Sequence, residues 1–379
     1  RDLETNFTAA DTRTTITPPG DGNGQLNQVE AEGENGALID NPTWFPILAG
    51  ADNLISLAEL GAYLTANPVG SAGHLIANGD KDDDGGALNL DNGAEGTVRN
   101  VAFLANATFN QGGAIAVNGP LTVLTVDGCL FEGNTVTDPV NDDGACIRQE
   151  GGNTTEQKGS TVYLYNSIIR NHNCDQGAGY QSGAAYSTTI IKNCLFENNV
   201  GDGNGGLILI NNDRQQLVEI VNCVVKNNTM PVTGDDLIHL RAGYGASKVV
   251  NCTFIGNILG AEASGTGQTL VANRQGNTDL DGVGGVGSDP TTMLIANNIF
   301  VGNTVENDVT RGNRTGSGGT PPSTTLGFIK LLNNLHFNNV DQTAGHAAAD
   351  LFNNANQVDG GADVGTIALD PNLDATSLV

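Results

Sequence analysis

From residue 98 onward, short apolar strands and asparagines alternate in a fixed order. The unit is Asn, two or three apolar residues, then Asn three places after the last. It occurs at Asn100–Asn106 (NVAFLAN), Gly128–Asn134 (GCLFEGN), Asn193–Asn199 (NCLFENN), Asn222–Asn228 (NCVVKNN), Asn251–Asn257 (NCTFIGN) and Asn297–Asn303 (NNIFVGN). Two copies are degenerate, Asn166–His172 (NSIIRNH) and Asn333–Asn339 (NNLHFNN). Successive starts lie 28, 38, 27, 29, 29, 46 and 36 residues apart. A second element precedes the unit: Gly85–Leu88 (GGAL), Gly112–Ile115 (GGAI), Gly144–Ile147 (GACI), Gly183–Ala185 (GAA) and Gly205–Ile208 (GGLI). A period near 28 with short strands and Gly/Asn corners predicts one turn of a β-solenoid per repeat, each coil stacking at about 4.8 Å on the last. Helical repeats of that length would need amphipathic helices that the glycines forbid.

In a solenoid each pattern position becomes a column along the stack. Phe103, Phe131, Ile169, Phe196, Val225, Phe254 and Phe300 are expected to point inward, and so is the small column Val101, Cys129, Ser167, Cys194, Cys223, Cys252, Asn298 and Asn334. The closing asparagines Asn106, Asn134, Asn199, Asn228, Asn257, Asn303 and Asn339 are expected to form an amide ladder. Strict strand alternation would turn the column between them, from Ala102 and Leu130 to Leu335, outward as an apolar stripe. A corner would place it in the core, and we read it as core. The longer spacings are read as loops inserted at a corner.

These residues carry a resemblance. The G-G-A-[IL] strand followed by F-x-x-N resembles the repeats of right-handed parallel β-helix surface and secreted proteins of the polymorphic outer-membrane-protein type, over about residues 80–345. The repeat predicts an all-β chain, a right-handed parallel β-helix of about nine to ten coils, and the resemblance implies that it is secreted or on the cell surface and serves in adhesion or as an extracellular structural element.

Composition changes the picture in one respect. With 52 glycines and 46 asparagines in 379 residues, polarity alone would admit disorder, and the repeat is what argues for frequent turns instead. A net charge of −26 with 16 Lys and Arg speaks against a nucleic-acid partner. No apolar run has the length of a membrane span. Residues 1–50 read as an extended arm or as strands outside the solenoid. Residues 51–79 are expected to hold a capping helix over 52–66, N-capped by Asp52, and the lead-in to the first coil. Residues 346–379 read as a last coil and C-terminal segment. A start at Arg1 rather than Met is expected of a processed form.

Candidate chemistry is sparse. Asp80, Asp82 and Asp84 followed by Gly85, with Asp91 further on, have a spacing that converges carboxylates on calcium, and Asn277, Asp279 and Asp281 before Gly282 repeat it. Both compete with a reading as solvated acidic turns. Four of six cysteines share one column and are expected to be buried thiols. Cys146 and Cys174, off the column, are the pair most easily bridged by a disulfide. Asp235, Asp236, His239 and Arg241 form the only compact group with acid–base chemistry, and we read them as a solvated corner. The expected role is therefore non-enzymatic, extracellular and structural or adhesive. Its partner would be a further copy of the chain, in a homopolymer, or a cell-surface glycan or protein. The alternative is a polysaccharide lyase or hydrolase, since pectin-active enzymes of that type use this fold.

Overall fold

A computed structural model describes residues 84–341 except 92, 138–142, 154, 202–205, 212–215, 232–235, 241–246, 261–268, 274–291, 306–309 and 312–327. Before residue 84 it describes only the strands Thr15–Ile16, Ile39–Asn41, Ile55–Ser56, Gly73–Ala77 and Asp80–Lys81.

Three long parallel sheets run the length of the stack, and each coil visits them in turn. One coil passes from Leu88–Leu90 in the first sheet to Glu95–Arg99 in the second and Val101–Leu104 in the third. It then makes the short strand Ala107–Thr108 and re-enters the first sheet at Ile115–Val117. The first and second sheets hold eight strands each and the third ten. Neighbouring coils pair in register, Phe103 opposite Phe131 and Phe131 opposite Ile169. The architecture is an all-β parallel solenoid.

Corners close because particular residues accept a left-handed backbone. Asn100, Gly128, Asn166, Asn193, Asn222, Asn251, Asn297 and Asn333 enter the third sheet with φ between 50° and 67°. Ala105, Gly133, Asn171, Asn198, Asn227, Gly256, Gly302 and Asn338 leave it at 51° to 62°. Gly enters that region without steric cost and Asn at lower cost than other residues, which is why they fill all but one of these places. A third bend precedes the first sheet, at Gly85, Gly112, Gly144 and Gly177, with φ of 73°, 71°, 67° and 61°. The coil containing Tyr180 therefore turns at Gly177, and Gly183–Ala185 follows the strand Tyr180–Ser182 instead of preceding it. The second glycine of the motif answers to crowding: a Cβ on Gly113 would stand 2.3 Å from the Ala145 carbonyl oxygen.

The interior is a stack of like on like. Phe103 and Phe131 lie face to face at 4.7 Å, and Phe254 and Phe300 at 4.8 Å. Each buried ring removes apolar surface from water worth about 2–3 kcal/mol. The column from Ala102 to Leu335, read as core, faces outward. Strand alternation holds, with Phe196 buried between half-buried Leu195 and Glu197. Ala102 and Leu130 are buried, but Ile168 is 37% exposed and Leu195 to Leu335 are half-exposed.

Outward charges on the same sheet alternate in sign from coil to coil. Arg170 pairs with Glu132 at 2.8 Å and Glu197 at 3.8 Å, and Lys226 with Glu197 at 3.0 Å. On the second sheet Glu219 sits between Lys248 at 2.9 Å and Lys192 at 3.0 Å. Hydrogen bonds from Lys248 and Lys192 hold the Glu219 carboxyl below its ordinary range. Such half-exposed pairs contribute little stability each, but like charges in register would repel.

The N-terminal end departs from expectation. Ile55–Ser56, inside the segment expected to be helical, is a strand antiparallel to Thr15–Ile16. The described residues contain no helix. Gly73–Ala77, placed before the first coil, already pairs in parallel with Val101–Leu104. Ile39–Asn41 runs antiparallel along its other edge, so a strand from the arm protects the sheet edge that a helix was expected to cover. Residues 346–379 lie outside the described residues.

Candidate functional site

The closing asparagines form a continuous corner ladder. Asn228 Nδ2 and its backbone N–H both donate to Oδ1 of Asn257, at 3.0 and 3.1 Å, and Asn228 Nδ2 also donates to the Phe196 carbonyl at 3.1 Å. The same bonds join Asn257 to Asn303 and Asn303 to Asn339. Asn106 bonds Asn134 and Asn199 bonds Asn228 likewise. Each amide thus satisfies buried backbone groups that turn away from the sheets at the corner. His172 fills one rung between Asn134 and Asn199.

The small column makes a second ladder. Cys129 N–H donates to Ser167 Oγ at 3.1 Å, Cys223 N–H to Cys252 Sγ at 3.4 Å, and Cys252 N–H to Asn298 Oδ1 at 2.8 Å. Asn298 Nδ2 continues to Asn334 Oδ1 at 3.0 Å. All six cysteines are buried free thiols. Burial pushes Cys129 up to about 12, and Cys146 well above its ordinary value. The alternative of a bridge between Cys146 and Cys174 is not realised, and both are free thiols as the other four are. Cys146 packs into the main core, whereas Cys174 packs with Ala145 and Ala178 in a separate cluster. Ala145 and Cys146 are consecutive, and their side chains serve different clusters.

The first proposed calcium segment is spread over different environments. Asp80 belongs to a strand paired with Ala107–Thr108, and Asp91 is exposed. The Asp84 carboxylate accepts from Asn110 Nδ2 at 2.8 Å and Asn118 Nδ2 at 3.1 Å, both in the following coil. Asp82, Asn277, Asp279 and Asp281 lie outside the described residues. Among the described residues no group of three or more His, Cys, Asp or Glu side chains is placed to hold a metal ion.

Polar chemistry gathers on the outward face of the first sheet, whose side chains are buried, unlike those of the other two. Arg148 is 6% exposed, Gln181 1% and His239 2%. Arg148 Nε donates to Gln111 Oε1 at 2.8 Å, and Nη2 pairs with Glu150 and lies 3.9 Å from Asp143. Desolvation lowers the Arg148 pKa from its ordinary value, and the Asp143 and Asp84 charges oppose that shift. Gly183 leaves room for the pair, since a Cβ there would meet Glu150 Oε1 at 2.9 Å. Further along, Asp236 Oδ1 accepts from the Thr269 N–H at 3.1 Å and Oγ1 at 2.8 Å, which leaves Oδ2 facing His239 Nδ1 at 3.5 Å.

Asp236 and His239 were expected in a solvated corner. They are buried, at 0% and 2% exposure, and Asp236 is held by Thr269 of the next coil. Asp235 and Arg241, grouped with them in the sequence, lie outside the described residues. Arg148 did not stand out in the sequence. Its signal was a charged residue one place after the GACI segment, in a column that also holds Asn89, Ala116, Gln181, Leu209, His239, Ala272 and Arg311.

The solenoid with its corner ladders defines the class of protein, a parallel β-helix. Residues 71–278 match the family model of the right handed beta helix region, and the chain belongs to that family. No curated protein and no solved structure matches it. Among the described residues no helix is long and apolar enough to cross a membrane.

Proposed function

We propose that the protein is a non-enzymatic extracellular or cell-surface β-helix with a structural or adhesive role. The observation that carries this is the investment in stacking. Two buried hydrogen-bonded ladders, stacked phenylalanines and sign-alternating surface charges all join one coil to the next. They make a rod whose second and third sheets keep partly exposed outward faces that are free to vary. The likeness of the repeats to polymorphic outer-membrane-type proteins supports a surface location. Calcium bound by the segment 277–281 would add stability, and a melting temperature raised by calcium and lowered by chelation is the result expected. Self-assembly follows if the pairing of Ile39–Asn41 with Gly73–Ala77 is made between chains instead of within one. Negative-stain images should then show polymers that vanish on deletion of residues 1–50, and monomers in both samples would end the polymer reading.

A polysaccharide lyase or hydrolase is the second reading, favoured by Asp236, His239 and Arg148 on one buried face. An Asp held by two donors and facing an imidazole is the arrangement that orients a general base. Incubation with uronic-acid and neutral polysaccharides, followed by absorbance of unsaturated products and by reducing ends, separates the two. No product is the result expected. Product that disappears with His239→Ala would replace the first reading by the second.

A further inference from the structure

Tyr163 and Tyr165 stand two places apart on the strand Thr161–Tyr165, on the outward face of the second sheet. Their ring centroids are 5.9 Å apart with planes 34° apart, and both rings are partly exposed. The Tyr165 phenol lies within the influence of the Lys192, Glu219 and Asp127 charges. The preceding coil offers Thr125 and Asp127 in the same columns, and the following coil Ile190 and Lys192. Two adjacent, partly exposed rings therefore lie on the outward sheet surface and contribute nothing to the core.

Beside them runs a row of planar polar groups. Asn193 Nδ2 donates to Asn166 Oδ1 at 3.1 Å, and Asn166 Nδ2 to Asp127 Oδ1 at 2.7 Å. Asp127 Oδ2 is 4.0 Å from the exposed Arg99. Rings present an apolar face, while the carboxylate and amides present paired donors and acceptors along one edge. A pyranose ring has the complementary form, with C–H groups on its face and hydroxyls around its rim. The charges beside the rings are paired, Asp127 with Arg99 and Lys192 with Glu219, so among the described residues they offer no free cation to an anionic chain. We propose that Tyr163 and Tyr165, with Asp127, Asn166 and Asn193, form a surface platform for a neutral oligosaccharide. This rests on the adhesive reading and names its partner class.

The full chain is tested by affinity electrophoresis and pull-down on cellulose, chitin, xyloglucan and galactomannan, with polygalacturonate as the charged comparison. Retention on at least one neutral glycan is expected, weakened about tenfold or more by Tyr163→Ala with Tyr165→Ala at unchanged melting temperature. Tyr163→Phe with Tyr165→Phe keeps the rings and should stay within about twofold. Should the alanine variant fail to fold, tyrosine ring resonances of the unmodified protein must shift on addition of cellohexaose or chitohexaose. Equal retention of the unmodified protein and a folded alanine variant overturns the platform and leaves adhesion standing. So does retention on polygalacturonate alone. Retention on none of the glycans overturns the platform, and cleavage of any of them overturns the adhesive reading with it.

Discussion

The side-chain amide of Asn134 lies 3.1 Å from Nε2 of His172, one coil along the corner ladder, and His172 Nδ1 lies 3.0 Å from Asn199 Oδ1. Asn134 Nδ2 only donates and Asn199 Oδ1 only accepts, so the tautomer is fixed with its proton on Nδ1. The imidazole must stay neutral to fill the rung, because a proton on Nε2 would face the Asn134 N–H. Burial takes its pKa down to about 4, against an opposing hydrogen bond with Asn199.

A pH dependence follows. The unfolded chain takes up this proton near 6.5 and the folded chain only near 4, so between those values unfolding gains a proton. Stability from this group is fully present above about pH 6.5 and is lost as pH falls toward 4, to the extent of about 3 kcal/mol. His336, half-buried, is shifted in the same direction and adds to the raw trend. Urea unfolding of the native protein and of His172→Asn from pH 7 to pH 4 isolates the His172 part. Parallel curves for the two proteins would show that the buried imidazole is not the cause.

At pH 7 the same substitution is expected to stabilise the fold. An ordinary rung accepts the preceding backbone N–H on Oδ1 and donates Nδ2 to a carbonyl of the preceding coil, as Asn228 does for Asn199 N–H and Phe196 O. The imidazole Nε2 accepts the Asn134 amide but leaves that second donation to the preceding coil unmade. Restoring an asparagine should gain about 1 kcal/mol. Thermal melting reads it directly, and a lower melting temperature for His172→Asn would mean that the larger ring's packing outweighs the bonds.

The ladder and the inward Phe column were legible in the sequence, because a position that meets its own copy in every coil must repeat. Asn106 and Asn228 fill equivalent places although 122 residues separate them. The outward turn of Leu195 and Val224 was not legible, since a half-exposed aliphatic column reads the same as a buried one. Ile55–Ser56 carries helix-like spacing, but its partner Thr15–Ile16 is distant in the chain and a local pattern cannot reveal it. The burial of Asp236 and His239 was not legible either, since an acidic residue beside a strand reads as solvated until its partner, here Thr269 of the next coil, is known.

Ala105 breaks the rule of its corner. Gly133, Asn198, Gly256 and Gly302 hold the equivalent place, yet Ala105 adopts φ 51° with a β-carbon. That conformation costs about 1–2 kcal/mol for an L residue, offset in part by the extra chain entropy a glycine would carry in the unfolded state. Ala105→Gly should therefore raise stability by about 0.5 kcal/mol, and Gly256→Ala should lower it by about 1 kcal/mol. Melting both variants beside the native protein checks the pair. The same sign for the two changes would contradict the assignment of strain.

All six cysteines are buried, so the native protein should react with none of a disulfide reagent over minutes, and denatured protein should titrate six thiols. Four thiols in denaturant would reveal a bridge. Rapid reaction before unfolding would show that the solenoid opens locally.

The thiol column also predicts that Cys252 can be replaced by the residue its neighbour already uses. Cys252 Sγ accepts the Cys223 N–H at 3.4 Å and approaches the Ile220 carbonyl at 3.6 Å, both weak contacts. One coil further, Asn298 serves the same two roles with an amide, accepting Cys252 N–H at 2.8 Å and donating to the Val249 carbonyl at 3.0 Å. Cys252→Asn would extend that ladder, with Nδ2 also reaching Asn298 Oδ1 as Asn298 reaches Asn334. The stronger bonds should contribute about 1 kcal/mol. Cys252→Ala removes the acceptor, leaves the Cys223 N–H buried without a partner, and should cost about 1–3 kcal/mol. The ordering Asn above Cys above Ala in melting temperature is the expected result. If Asn melts below Ala, the column is limited by volume and not by hydrogen bonding.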